Sequence, residues 1–227
     1  MAAIIACQNN KNEAQQTSDE TGSSNPCSCL ESYKGDATFF DSDFVAGLAG
    51  TSTPKVEKGG SGKYTYYNAS WKENGVNMHL GLENLETFSE IKESYPYAFN
   101  DGKLKTMTDY VKKTYRNQSD EETARNAKTL NEQYEKQNKD NPLAKESEGA
   151  KNTLQNTLLD MEQNAYVEIK NLGDYAVYNQ KSNDLYVVCG NVLLQLRGQV
   201  GAWGKHDKEK GLELAIKGAE KIIKQCQ

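Results

Sequence analysis

KYTYYNASWKENGVNMHLGLE, residues Lys63 to Glu83, is the stretch on which the fold turns. Asn74-Gly75 at its middle is the dipeptide that two-residue type I′ turns favour, because both residues tolerate positive φ. The flanks carry strand-forming residues, and the second alternates strictly. Val76, Met78, Leu80 and Leu82 fall on one face, and Asn77, His79, Gly81 and Glu83 on the other. The reading is a hairpin of Lys63 to Trp71 and Val76 to Glu83, with one buried and one polar face.

Upstream of it, Phe39, Phe40, Phe44, Val45 and Leu48 recur at near-helical spacing, with Asp41 or Ser42 to cap the start and Gly50 to end the run. Gly59-Gly60-Ser61-Gly62 reads as a loop. Downstream, from about Leu85 to Met161, the period becomes helical. The stripes are Leu85, Phe88 and Ile91; Leu104, Met107, Val111 and Tyr115; and Ala124, Ala127, Leu130 and Tyr134 after a Ser119–Glu122 capping box. Asn141-Pro142 then opens a further helix carrying Ala150, Leu154, Leu158 and Met161. Narrow apolar stripes flanked by charge and amide predict helices that each bury one side, against a sheet or against a coiled-coil partner.

Strands return at Tyr166 to Ile169, Tyr175 to Tyr178, Leu185 to Cys189 and Val192 to Arg197, with Gly190-Asn191 as a tight connection. A last helix from about Asp207 carries Leu212, Ala215, Ile216, Ala219, Ile222 and Ile223 on its apolar side. The predicted class is α+β: an antiparallel sheet, built from an N-terminal hairpin and a C-terminal meander, covered by helices and interrupted by a helical insertion at about 85–162.

The 227 residues carry a net charge of −5 and a pI near 5.3, which opposes attraction to phosphate backbones, so no nucleic-acid partner is expected. With 26% charged residues and a mean hydropathy of −0.83, no stretch approaches the ~20 apolar residues of a membrane-spanning helix.

Ala3-Ile4-Ile5-Ala6-Cys7, followed by polar Gln8-Asn9-Asn10, resembles the lipobox of bacterial lipoproteins. The resemblance implies a diacylglyceryl group on Cys7, cleavage just before it and retention on an envelope membrane, facing the periplasm or the cell surface. Only six residues precede Cys7, so residues 1–7 are read as the remnant of a longer export signal. Gln8 to Pro26 is polar throughout and without aromatics, which suits a tether. The expected division is a disordered tether over 8–29 and one α+β domain over 30–227.

Leu172-Gly173-Asp174-Tyr175-Ala176-Val177-Tyr178, Leu185-Tyr186-Val187, Gly190-Asn191, Leu193-Leu194-Gln195-Leu196 and the terminal amphipathic helix resemble the C-terminal signature of small envelope lipoproteins with the PsbP-like α/β/α sandwich. The resemblance covers roughly the last quarter of the chain. It implies a protein that binds or stabilises a partner and carries no shared catalytic residue.

Chemistry-bearing residues are sparse. The two histidines are His79, on the polar face of a strand, and His206, in a loop before the last helix. No HExxH, GxSxG, P-loop or GxGxxG pattern occurs, and neither cofactor nor metal is implied. Apart from Cys7, the cysteines are Cys27, Cys29, Cys189 and Cys226, an even set that an envelope location permits to pair. Cys27 and Cys29 are poorly spaced to bridge each other. A bond from either to Cys189 or Cys226 would close a loop of more than a hundred residues and contribute ~4 kcal/mol. Free thiols, or a Cys-x-Cys metal or redox site, are the alternatives. Thirteen tyrosines stand against five phenylalanines. In the hairpin, alternation sends Tyr64 and Tyr66 one way and Tyr67 and Trp71 the other; with His79 these form a candidate binding surface, against the competing reading of ordinary cross-strand packing. The expected function is a non-catalytic, lipid-anchored envelope protein that binds a protein partner or small ligand. The alternative is a hydrolase or metal-dependent enzyme built around His79 or His206.

Overall fold

The computed structural model describes residues 27–33, 39–49, 54–71, 76–137, 164–202 and 205–226. Cys7, the segment to Pro26, the Asn74-Gly75 turn and the helix expected after Pro142 lie outside these residues, as do the side chains of Trp71, Leu130 and Tyr134.

The α+β architecture is as expected. Eight strands form one antiparallel sheet: β1 (Lys55–Ser61), β2 (Tyr64–Trp71), β3 (Val76–Thr87), β4 (Tyr166–Ile169), β5 (Tyr175–Asn179), β6 (Asp184–Cys189), β7 (Val192–Ala202) and β8 (Lys205–His206). Their spatial order is β1-β2-β3-β7-β6-β5-β4, so the N-terminal hairpin joins the meander through β3 and β7. Beyond the end of β6, β8 pairs with the last residues of β7. Among the described residues six α-helices accompany the sheet: α1 (Ser28–Glu31), α2 (Ser42–Ala49), α3 (Phe88–Ser94), α4 (Met107–Thr114), α5 (Asp120–Gln137) and α6 (Lys208–Lys224).

One face of the sheet is largely apolar. Tyr67, Ala69, Met78, Leu80, Leu82, Leu85, Leu185, Val187, Leu194 and Leu196 pack there against Leu30, Phe40, Val45, Leu214, Ala215, Ala219 and Ile222 of α1, α2, α6 and their flanks. Helix α6 crosses β7 closely because Gly211 and Gly198 meet backbone to backbone, and a methyl group on either would collide with the carbonyl of the other. The buried stripe of α6 is therefore turned toward Gly211, Leu214 and Gly218, leaving the expected Leu212, Ile216 and Ile223 partly buried.

The other face is divided. Ile91, Met107, Tyr110 and Val111 of α3 and α4 cover Val177, Tyr186, Val188 and Leu193. Tyr115 stacks on Tyr186 with centroids 3.9 Å apart. Burial pushes both of these tyrosines well above their usual range, helped by neighbouring phenols at Tyr115 and by the Asp184 carboxylate at Tyr186, so they stay neutral.

Several local expectations are revised. Gly59 and Gly60 lie in β1, an edge strand rather than a loop; the Tyr66 ring lies directly over Gly59, where any side chain would strike it. Strand β3 runs to Thr87, because a bulge between Leu82 and Asn84 returns Leu85 to the apolar face. Helix α3 starts only after Thr87, which forms a capping box with Glu90. The Ser119–Glu122 box is present as expected. His206 lies in β8 rather than in a loop.

Two disulfides tie the start of the described body to its core: Cys27–Cys189, with Cα atoms 5.6 Å apart, and Cys29–Cys226, at 5.7 Å. Cys27 is fully buried and precedes α1, so the folded body takes in three residues assigned above to the tether. Loop-closure entropy over 162 residues makes the first bond worth roughly 5 kcal/mol on its own.

Candidate functional site

Over β1, β2, β3 and the distal part of β7, the divided face carries polar side chains, and among the described residues no helix packs on it. Register sets them in rows. Glu57, Asn68, His79 and Gln199 stand side by side across four strands. Ser70, Asn77, Gly201 and His206 form the next row. Together they line a concavity of about 380 Å³. Among the described lining residues the apolar ones, Ala69 and Met78, send their side chains into the core on the opposite face, where they are 0% and 2% exposed.

His79 is the hub of this surface. Its Nδ1 lies 2.8 Å from Asn68 Oδ1 and its Nε2 3.3 Å from Glu83 Oε1. Its ring stacks on Tyr66 at a centroid distance of 5.5 Å. The histidine and Glu83 can meet because Gly81 lies between them: a methyl group there would come within 2.7 Å of the Glu83 carboxylate and 2.9 Å of His79 Nε2. Glu83 also pairs with Arg197 at 3.5 Å, and Arg197 donates through Nε to the buried Asp184 at 2.8 Å. Burial works against the Arg197 charge, but Asp184 and Glu83 more than offset it and raise its pKa. Tyr64 completes the edge, its phenol pushed up by burial and then by the nearby Glu83 carboxylate.

The residues singled out from sequence thus fall in different places. Tyr64, Tyr66 and His79 share the polar face. Tyr67 is 2% exposed and donates its hydroxyl to the Phe40 carbonyl at 2.6 Å, which makes it a core residue and removes it from any binding surface. Trp71 ends β2, and its side chain is outside the description. His206 faces the same concavity as His79, so the two histidines converge on one surface. Cys27, Cys29, Cys189 and Cys226 are disulfide-bonded, which rules out a Cys-x-Cys metal or redox site and free thiols at these positions.

Sequence reading passed over Asn68, Glu83, Asp184, Arg197 and Gln199. Alternation along β7, with Val192, Leu194 and Leu196 on one face, would have placed Arg197 and Gln199 opposite them; that Asp184 meets Arg197 required the pairing of β6 with β7.

Chemically, the surface offers amides, a hydroxyl and two imidazoles beside a fixed ionic network. Among the described residues no group of three or more His, Cys, Asp and Glu is placed to hold a metal ion, and no helix is long and apolar enough to cross a membrane. No family model, curated protein or solved structure matches the chain.

Proposed function

We propose that this chain is a lipid-anchored protein of the bacterial envelope, PsbP-like in its sandwich, that binds a partner or small ligand through the open half of its sheet without catalysing a reaction. The observation that carries the proposal is the arrangement of the disulfides relative to the polar concavity. Cys27 is bonded to Cys189, at the hairpin end of β6 and β7, while the concavity lies around Gln199 and His206 at the other end of β7. Seven residues of strand separate Val192 from Gln199, about 24 Å at roughly 3.4 Å per residue. A chain anchored at Cys7 would enter the body at the first end and leave the second free to meet a partner. Two disulfides support a location outside the reducing cytoplasm.

The test is expression from the full upstream reading frame in a bacterial host, followed by mass spectrometry of the membrane fraction. The expected result is a mature N-terminus at acylated Cys7, with Cys7→Ser releasing the protein to the soluble fraction. Soluble protein with Met1 intact overturns the proposal.

One observation favours a second reading, a hydrolase: His79 and His206 share one concavity. That reading requires turnover of chromogenic esters or glycosides that His206→Ala abolishes. The engagement of both His79 ring nitrogens by Asn68 and Glu83 favours binding instead.

A further inference from the structure

We infer that the concavity formed by Asn68, Ser70, Asn77, His79, Gln199 and His206 is a binding site for a neutral polyhydroxylated ligand, a sugar unit of a glycan. The inference rests on the binding role proposed above and gives that role a ligand class.

The lining chemistry selects the ligand. Carboxamides and a hydroxyl each present a donor and an acceptor within one group, as the vicinal hydroxyls of a sugar do. Two amides, Asn68 and Asn77, and the hydroxyl of Ser70 are on exposed side chains, with half-buried Gln199 beside them. A lipid or other apolar ligand is poorly matched by the described lining, in which the apolar side chains, Ala69 and Met78, are 0% and 2% exposed. A strongly charged ligand is poorly matched as well: among the described lining residues the one fixed charge, Glu57, is already paired with Lys55. The volume of about 380 Å³ falls in the range of small-ligand sites, roughly 300–1,000 Å³.

The surface also has the apolar element that sugar rings require. Tyr66 is the next residue of β2 on this face beyond Asn68, and its ring lies over Gly59 and stacks on His79. A pyranose seated on the amides could extend its C–H face toward that ring. The wall is also set before any ligand arrives. Asn68 is held by His79, His79 by Glu83, Glu83 by Arg197, and Arg197 by buried Asp184. A preorganised wall avoids the ordering cost that weakens flexible polar sites.

The experiment uses the purified, disulfide-intact full chain on an array of neutral glycans, followed by calorimetry with free glucose, galactose, mannose, N-acetylglucosamine and the unit the array selects. At least one neutral glycan is expected to bind, and Asn77→Ala and Gln199→Ala are each expected to weaken it tenfold or more. Tyr97→Ala, at a position 71% exposed and outside the concavity, should leave it unchanged. Shifts of the His79 and His206 imidazole resonances on titration of the unsubstituted chain locate the site independently of the variants. An array with no signal above background overturns the inference, as does binding that survives the Asn77→Ala, Gln199→Ala double substitution. The two proposals fail separately: loss of the anchor at Cys7 leaves the array result untouched, and capture of an envelope protein through this face without glycan binding removes only the sugar.

Discussion

The two halves of the helix-bearing sheet face obey the same strand alternation and do opposite things with it. Over β5, β6 and the proximal part of β7, the outward positions are Val177, Tyr186, Val188 and Leu193, and α3 and α4 cover them. Over β1, β2, β3 and distal β7 the equivalent positions are Glu57, Asn68, His79, Arg197 and Gln199, and the described helices leave them uncovered. Large apolar side chains recruit a helix because burying them stabilises the fold by roughly 1.5–3 kcal/mol each. Amides and ion pairs gain little from being covered, so that half remains available to a ligand.

Truncating one tyrosine in each half gives the hardest test. Tyr186→Ala removes a buried ring stacked on Tyr115 and is expected to cost ~3–5 kcal/mol in thermal or denaturant unfolding. Tyr66→Ala, at a half-exposed position, should cost under about 1.5 kcal/mol. Equal losses would show that the open half is core in disguise.

Glycines one register step apart sharpen the contrast with the apolar face below. Gly198→Ala sets a methyl group against the Gly211 carbonyl, where backbone has to move, and should cost about 1–3 kcal/mol. Gly81→Ala meets the ends of Glu83 and His79, which can swing aside, and lies 3.3 Å from Tyr66 Cβ, which has to give by only a few tenths of an ångström, so stability should change by under about 1 kcal/mol. The same change should abolish the His79–Glu83 contact, visible as a shift of the His79 Nε2 resonance. A large stability loss at Gly81 would mean the network holds the sheet together rather than shaping a surface.

Acid should weaken the contact that joins the two halves. Lys63, in the turn between β1 and β2, pairs with Glu90 of α3. Burial raises the Glu90 carboxyl, but hydrogen bonds from Lys63 and from the Thr87 N–H and hydroxyl outweigh it and bring the carboxyl from 4.5 down to about 2. A depressed folded-state pKa stabilises fully above the unfolded value and is lost as pH falls through the folded one. The Tm difference between wild type and Glu90→Gln should therefore be constant above about pH 5 and shrink toward pH 2. A difference independent of pH would remove the ion pair as the link.

His79→Ala is also expected to cost little, about 0.5–1.5 kcal/mol, because its partners Asn68 and Glu83 can turn to water when it is removed. A loss above about 3 kcal/mol would place His79 among the structural residues of the covered half.

Much of this molecule was legible along the chain. Short-range periodicity marked β2, β3, the four strands of the meander and α6 to within a few residues, and the polar face of β3 was readable with His79 on it. What escaped depended on partners distant in sequence. β1 was hidden because Gly59 is occupied by a ring from the neighbouring strand, and Leu85 was read as helical because a bulge shifts the alternation by one. Which of Cys27 and Cys29 joins Cys189 and which joins Cys226 stayed open until Cys27 was placed beside Cys189.

The sequence by itself determined which residues can be buried and at what period, and therefore the class of fold, because hydrophobic spacing is a local property of the chain. Only the tertiary structure decided which strand stands beside which, and hence that Asn68, His79, Gln199 and His206, spread over nearly 140 positions, share one surface. Strand pairing is a long-range choice, settled by the packing of whole faces against helices, and no window of sequence contains it.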